Sequence, residues 1–202
     1  MCSRFNLDEP TFYSAVSQFH LSGSERITVT SRDIYPSETA PVIIGDPGRG
    51  LDELMVVNQV WGFPSPNEKG LLINARCETV QQKPTFSQGV RQNRCVIPAR
   101  CFYEWDPHKN KASFFPRNGD VIYMAGVFER PRELGGTFSR FVILTREADD
   151  VVRPVHSRMP LLLTAEQVPE WIRDDQRAEE LLKAAPTPLY CEKEYEQMAL
   201  DL

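Results

Sequence analysis

Short β-rich runs separated by proline and glycine constrain the fold of this chain more than any other feature of its sequence. The runs lie near residues 26–30, 54–60, 95–104, 121–128 and 138–145. Turn signals such as Asp46-Pro47-Gly48 and Arg117-Asn118-Gly119-Asp120 lie between some of them. Runs of this length and composition predict that the middle of the chain is mostly strands.

Helix signals occur near the N-terminus. Asp8-Glu9-Pro10 is typical of a helix start, because an acidic cap is followed by a proline that tolerates the first turn. Phe12, Val16 and Phe19 follow at spacings that place them on one helix face. We therefore expect this helix to pack on a core.

A second group of helix signals lies further along the chain. Thr164 and Gln167 resemble a capping box, and Asp175 is placed to cap another helix that ends at Pro186. Short helices are also expected after Asn74 and around residues 86–91. The predicted fold is α+β, with a mainly antiparallel, partly closed, barrel-like sheet flanked by short helices.

The composition is that of one globular domain. The 202 residues are 41% hydrophobic and 25% charged, and no Gly-, Ser- or Pro-rich linker divides them. We predict a single domain over residues 1–202, with residues 187–202 as a tail that can be flexible. No apolar run approaches the roughly 20 residues needed to span a bilayer, and no signal peptide is visible at the N-terminus, so a cytoplasmic location is expected.

Charge and cysteine usage exclude several classes of function. A net charge of −5 argues against a protein covered in DNA-binding charge, so any DNA contact must be local. Six arginines near the motifs could form a local stripe, or could be scattered on the surface: Arg4, Arg76, Arg94, Arg100, Arg153 and Arg158. The five cysteines contain no CxxC pair and the three histidines no metal-ligand spacing, so we expect neither a disulfide framework nor a metal or other cofactor.

Cys2 is the position that carries the most chemical information. Removal of Met1 would leave Cys2 with an α-amine and a thiol on adjacent carbons. The amine, with a pKa of about 7.7–8.0, can condense with an aldehyde, and the thiol, with a pKa of about 8.5, can then close a thiazolidine ring. From the dipeptide alone, however, a cysteine after methionine is more often an accident of composition.

Four later motifs occur in a characteristic order. They are Trp61-Gly62-Phe63-Pro64, Leu72-Ile73-Asn74-Ala75-Arg76 with Glu78, the stretch from Arg94 to Trp105, and Val155-His156-Ser157-Arg158-Met159-Pro160. Together with Met1-Cys2-Ser3-Arg4-Phe5, they resemble the SOS response-associated peptidase (SRAP) family. The resemblance runs from Met1 to Leu163 and fades after about residue 186.

The resemblance implies a mixed, mainly antiparallel β fold and a mature N-terminal cysteine. By that resemblance Cys2 is the nucleophile that forms a thiazolidine with the ring-opened aldehyde of an abasic site. Matches to the family's other active-site positions are Asn74, Glu104 and His156. Matches to positions that hold DNA phosphates are Arg4, Arg76 and Arg158.

The chemistry asks independently for proton-transfer groups. Glu104 lies between Tyr103 and Trp105 at the end of an apolar run, where desolvation would raise its pKa, and it could move protons during imine formation; a surface glutamate is the alternative. His156 could protonate the ring oxygen of the deoxyribose, although a lone histidine is more often structural.

Two further side chains have a functional and a structural interpretation. Asn74 could hold the α-amine or the sugar, or simply cap a turn. Trp61 could stack on a base beside the lesion, or belong to the core. The chain departs from the family at Ser3, usually glycine, at Tyr35, where Ala-Pro is common, and at Ser157, usually acidic.

The leading hypothesis is an enzyme that crosslinks to abasic sites in single-stranded DNA and shields them. One rival is a cysteine peptidase in which Cys2 removes Met1 or cuts another substrate, and another is a non-covalent single-stranded DNA sensor. The C-terminal residues Gln197, Leu200 and Leu202 resemble the anchors of short peptides that dock on the bacterial sliding clamp, so the clamp is a second predicted partner. Chance occurrence is the stronger interpretation of so short a pattern.

Overall fold

The structure is a computed structural model and describes residues 2–48, 50–65, 70–130 and 139–194, without the side chains of residues 50–52. The helices are α1 (Glu9–Phe19), α2 (Pro84–Gln92), α3 (Gln167–Arg173) and α4 (Asp175–Leu181). The strands are β1 (Phe5–Leu7), β2 (Arg32–Ile34), β3 (Thr39–Asp46), β4 (Gly50–Trp61), β5 (Phe63–Pro64), β6 (Leu71–Leu72), β7 (Asn74–Arg76), β8 (Arg94–Ala99), β9 (Cys101–Trp105), β10 (Lys111–Pro116), β11 (Ile122–Glu129), β12 (Arg140–Glu147), β13 (Arg158–Pro160), β14 (Leu162–Leu163) and β15 (Leu189–Lys193).

The larger sheet closes on itself. Its strands follow the order β12-β4-β3-β8-β11, and β11 pairs with β12 again, through Gly126 opposite Ile143, which completes a ring. Most pairs are antiparallel, whereas β4 and β7 run parallel to β12. The predicted α+β fold with a mainly antiparallel, partly closed sheet is confirmed.

A second sheet carries the N-terminal segment. Its strands follow the antiparallel order β15-β10-β9-β1-β2. Phe5 of β1 lies opposite Phe102 of β9, and the Tyr103 amide donates to the Arg4 carbonyl at 3.1 Å. The backbone leading to Cys2 therefore runs beside the strand that carries Glu104.

Strand β12 has a different partner on each edge at Thr145. This residue lies opposite Arg76 of β7 and also opposite Pro160 of β13. Because a strand residue can pair with one strand on each edge, β7 and β13 must flank β12 on opposite sides. The segments that carry Asn74 and His156 are thereby brought to the same part of the sheet.

The predicted N-terminal helix is confirmed in its start and in its buried face. Asp8 caps α1 by accepting a hydrogen bond from the Thr11 amide at 2.9 Å. Phe12 is buried, and Val16 and Phe19 pack against the core. Each of these features joins residues three or four positions apart in the sequence, which explains why the sequence predicts them well.

Several predicted boundaries were wrong. Ile27 is buried and Val29 partly buried, and residues 28 and 30 are exposed, but the run pairs with no strand among the described residues, so the run near 26–30 is not a strand. Asn74 begins strand β7 rather than preceding a helix, whereas the helix expected around residues 86–91 is confirmed as α2. Asp174, not Asp175, caps α4, which ends at Leu181 before Pro186.

The C-terminal segment is more ordered than the sequence predicts. Residues 189–193 of the predicted tail form β15, which pairs with β10, and Leu189 is buried. The clamp-binding pattern at Gln197, Leu200 and Leu202 lies outside the described residues, as does Met1.

None of the described helices is long and apolar enough to cross a membrane. Within the same ranges no cluster of His, Cys, Asp and Glu could hold a metal ion.

Candidate active site

Cys2 is fully buried beside the end of β9. Its thiol donates to the Arg4 carbonyl across 3.7 Å, which turns the side chain back along the N-terminal segment. Burial raises the pKa of the Cys2 thiol far above its ordinary value, and the negative charge of Glu104 adds to the shift. The thiol is therefore protonated at neutral pH in this arrangement.

Asn74 connects β7 to the nucleophile. The parallel register of β7 on β12 sets Asn74 opposite Ile143, and its side-chain amide donates to the Cys2 carbonyl at 2.8 Å. The side-chain oxygen of Asn74, Oδ1, is buried and has no hydrogen-bond partner among the described residues. Asn74 thus fixes the Cys2 main chain and keeps one buried acceptor for another donor.

Glu104 is the buried carboxyl of the site. Because successive strand residues face opposite sides, Glu104 points inward while Tyr103 and Trp105 point to the other face of β9. Its side chain is 4% exposed, and its Oε1 lies 3.8 Å from Nδ1 of His156. Burial raises the pKa of Glu104, and the neighbouring His156 opposes the shift. A carboxyl whose pKa is raised is suited to donate as well as accept a proton.

His156 lies at the end of a turn that precedes β13. The Asp149 carboxylate accepts from the Val151 and Val152 amides at 3.0 and 2.9 Å, which stabilises the turn. The Nδ1 atom of His156 lies 3.0 Å from the amide nitrogen of Arg158 and 3.1 Å from its carbonyl oxygen. The main chain of Arg158 therefore orients the imidazole beside Glu104.

Arg4 is held by aromatic rings. Its guanidinium carbon lies 4.7 Å from the ring centre of Tyr35, 4.8 Å from that of Trp105 and 5.9 Å from that of Tyr103. The Asp33 carboxylate is 3.8 Å away, and the Arg4 side chain is 28% exposed. The sequence did not identify this aromatic group, although the alternation of Tyr103 and Trp105 around Glu104 places both on the face opposite the buried carboxyl.

The two other arginines of the site differ from Arg4. Arg76 ends β7 with an exposed side chain. Arg158 forms two hydrogen bonds with the Glu78 carboxylate, from Nη1 at 2.6 Å and from Nη2 at 2.9 Å, and Nη2 also donates to the Thr145 carbonyl at 2.6 Å. Most of its donors are thus already bound to protein.

Arg94, one of the six arginines considered for the basic stripe, lies in the interior instead. It donates to the carbonyls of Val90, Trp171 and Ile172, so it joins α2 to the end of α3. Its charge is paired with Asp175 at 2.8 Å. Arg94 is thus a structural residue.

Trp61 is also a core residue, so the prediction that it stacks on a base was wrong. The indole is fully buried, donates to the Ile73 carbonyl at 2.9 Å and stacks on Phe141 with ring centres 6.2 Å apart. Its position on β4 next to β12 turns it inward, which the local motif could not reveal. Trp105 is the partly exposed tryptophan near the site.

Comparison with known proteins agrees with this architecture. The family model described as "SOS response associated peptidase (SRAP)" matches residues 1–198. The Bacillus subtilis protein named "Abasic site processing protein YobE" is 29% identical over 201 residues, which cover 93% of this chain and 89% of the relative. The Escherichia coli protein named "Abasic site processing protein YedK" is 31% identical over 129 residues, which cover 62% of this chain and 58% of the relative.

Solved structures share the fold. A Bordetella bronchiseptica protein has a TM-score of 0.76 at 23% identity, with 95% of this chain and 99% of that chain covered. A Bacteroides thetaiotaomicron protein also has a TM-score of 0.76, at 20% identity, with 95% and 91% covered. The family match spans nearly the whole chain. The chain belongs to the SOS response-associated peptidase (SRAP) family.

Proposed function

We propose that this chain processes abasic sites in DNA by forming a covalent crosslink through Cys2 once Met1 has been removed. The observation that carries the proposal is the convergence of Asn74, Glu104 and His156 on the buried Cys2. The names of its relatives support abasic-site processing. In this proposal the chain binds single-stranded DNA in the cytoplasm, which is the location expected from the sequence.

The chemistry proceeds in two additions. The α-amine of Cys2 attacks the aldehyde carbon of the ring-opened sugar, and the resulting carbinolamine loses water to form an imine. The thiol then adds to the imine carbon while its proton goes to the nitrogen, which closes the thiazolidine with one water released overall. Because the amine acts first, the thiol needs to give up its proton only as the ring closes.

The neighbouring groups have separate roles in this proposal. Glu104 donates a proton to the departing hydroxyl, since its raised pKa favours the protonated form. His156 protonates the ring oxygen as the sugar opens, and Asn74 holds the Cys2 main chain in place. Arg4 and Arg76, whose guanidinium groups reach solvent, hold phosphates on either side of the lesion.

The direct test mixes the protein with an oligonucleotide that carries one abasic site. We expect a denaturant-stable adduct on a gel, with an intact mass that lacks Met1 and one water. Cys2→Ala should abolish this adduct, and Cys2→Ser should leave only an imine that borohydride can trap. Cys191→Ala, which removes a partly exposed thiol on β15, is the matched control and should retain the adduct.

Four outcomes would contradict the proposal or favour one of its alternatives. A heat-stable crosslink formed equally well by Cys2→Ala would make another residue the nucleophile. Retention of Met1 in protein that still forms the adduct would exclude the thiazolidine, because an amide nitrogen cannot form an imine. Peptide cleavage without any adduct would favour the peptidase alternative, and binding to undamaged DNA without adduct would favour the sensor.

We propose the sliding clamp as a second partner, on the sequence of residues 197–202 alone. A free tail can lay spaced apolar anchors into a groove on a partner. A labelled peptide of residues 190–202, titrated with purified clamp, tests this proposal. Loss of binding with Gln197→Ala and Leu200→Ala is the expected result, and no binding at high micromolar clamp would contradict it.

A further inference from the structure

Glu78 forms a two-point ion pair with Arg158 that the proposed chemistry does not use. Both carboxylate oxygens accept from the guanidinium, at 2.6 and 2.9 Å. The Arg158 side chain is only 13% exposed, whereas that of Glu78 is 48% exposed. Because a bidentate contact fixes the plane of the guanidinium, it restricts the arginine more than a single contact would.

The ion pair bridges the two strands that flank β12. Glu78 follows the end of β7, and Arg158 begins β13, on the opposite edge of β12. The Thr145 carbonyl of β12 accepts from both Arg158 Nη2 and the Cys77 amide, at 2.6 and 2.8 Å. The side chain of Arg158 therefore crosses β12 and joins the segment of Asn74 to the segment of His156.

The main chain of Arg158 in turn holds the imidazole of His156. Its amide nitrogen and carbonyl oxygen lie 3.0 and 3.1 Å from Nδ1. Strand β13 has only three residues, so few ladder hydrogen bonds fix this main chain. The ion pair with Glu78 supplies a second attachment at the residue that contacts the ring.

We infer that Glu78 is a positioning residue, which orients His156 beside Glu104 by fixing Arg158 across β12. The inference rests on the proposed function, in which His156 and Glu104 move protons. It also reassigns Arg158. Because most of its donors are bound to Glu78 and Thr145, Arg158 contributes to the rate of crosslinking, and phosphate affinity rests on Arg4 and Arg76.

The first test compares Glu78→Gln with the wild type in single-turnover crosslinking at saturating abasic oligonucleotide. Small displacements of a catalytic group lower rates strongly, so we expect a loss of about 10-fold to 100-fold. Affinity for undamaged single-stranded DNA should stay within about two-fold, because no phosphate contact is lost. Glu78→Asp, which keeps the carboxylate, should retain more of the rate, and Glu25→Gln on the exposed turn at Ser24–Arg26 is the matched control.

A double-mutant cycle tests whether Glu78 acts through His156. Residues that act through one another are not additive, so Glu78→Gln should lower the rate no further in a His156→Ala background. An equal loss in both backgrounds would overturn the inference. An unchanged rate in Glu78→Gln would also overturn it. Tighter DNA binding together with faster crosslinking in this variant would overturn it as well, because Glu78 would then be a carboxylate that repels phosphate.

The His156 ring provides a readout that does not require the adduct. In NMR spectra of Glu78→Gln, the ring signals of His156 should shift, whereas those of His20 and His108 should not. Unchanged His156 signals would overturn the inference even if crosslinking occurs. A shift without any adduct in the wild type would retain the inference and reject the proposed crosslink. Arg158→Lys, which keeps the charge but loses the bidentate contact, serves if Glu78→Gln fails to fold.

Discussion

Arg4 and Arg158 flank the same candidate site, and the family resemblance gives both the same role, yet the fold holds them in opposite ways. Aromatic rings cover the faces of the Arg4 guanidinium. A carboxylate and a buried carbonyl occupy the N–H edge of Arg158. The difference matters because phosphates bind the N–H edge and not the face.

The surroundings of Arg4 leave donors available. The Arg4 side chain is 28% exposed, and the Asp33 carboxylate approaches its guanidinium only to 3.8 Å. Oδ2 of Asp33 faces Arg4, whereas Oδ1 accepts from Asn6 and from the Tyr103 hydroxyl at 2.9 Å. The rings hold Arg4 in place without using its hydrogen bonds. We therefore assign the affinity for DNA to Arg4, the affinity side of the site. We assign the rate of crosslinking to Arg158, His156 and Glu104, the rate side of the site.

The largest effect is expected on the rate side, at Glu104. Glu104→Gln removes a general acid, so crosslinking at saturating DNA should slow by about 10²-fold to 10⁴-fold. Affinity for undamaged single-stranded DNA should change little, because the side chain is 4% exposed and faces inward. Single-turnover kinetics together with fluorescence anisotropy measure both quantities. Equal losses of rate and affinity would remove the division between the two sides.

The pH dependence of the rate sharpens the same prediction. Because burial raises the pKa of Glu104, its acid form persists above the ordinary carboxyl range and is lost as pH rises through the raised value. The wild-type rate should therefore fall on the alkaline side, and this limb should be absent in Glu104→Gln. The same shift lowers the stability of the native state as pH rises from the ordinary carboxyl pKa to the raised pKa, since the unfolded chain releases its proton first.

An intermediate effect is expected on the affinity side, at Arg4. Arg4→Ala should weaken binding of single-stranded DNA by about 10-fold, since one charge-assisted contact is lost at a partly exposed site. The slope of log affinity against log salt should also fall by about 0.7, the value for one phosphate on a single strand. Arg26→Ala, on an exposed turn, is the control. A slower crosslinking rate at saturating DNA with unchanged DNA affinity would instead give Arg4 the same role as Arg158.

The smallest effect is expected at Asp33. Asp33→Asn removes the carboxylate that competes with phosphate for Arg4, while the amide oxygen can still accept from Asn6 and Tyr103. Exposed ion pairs contribute about 0.2–1 kcal/mol, so affinity should rise by at most about five-fold. Anisotropy titrations at low and high salt measure the change. Weaker binding in this variant would show that Asp33 helps to hold Arg4 for phosphate.

Local features of the fold could be predicted from the sequence because they depend on neighbouring residues. The cap at Asp8, the buried face of α1 and helix α2 each involve residues a few positions apart. The β-rich run at residues 121–128 likewise predicted β11. The sequence also pointed to Cys2, because the chemistry of a terminal aminothiol belongs to one residue.

Only the tertiary structure decided which side chains meet. Trp61 was a candidate base contact and Arg94 a candidate for a surface stripe of arginines, yet strand pairing turns the first into the core and places the second against the end of α3. Residues 27–30 have a strand pattern but no partner strand among the described residues. Glu78 and Arg158 are 80 positions apart, and their contact exists because β12 pairs with a different strand on each edge. Contacts of this kind depend on the register of distant strands, for which neighbouring residues carry no signal.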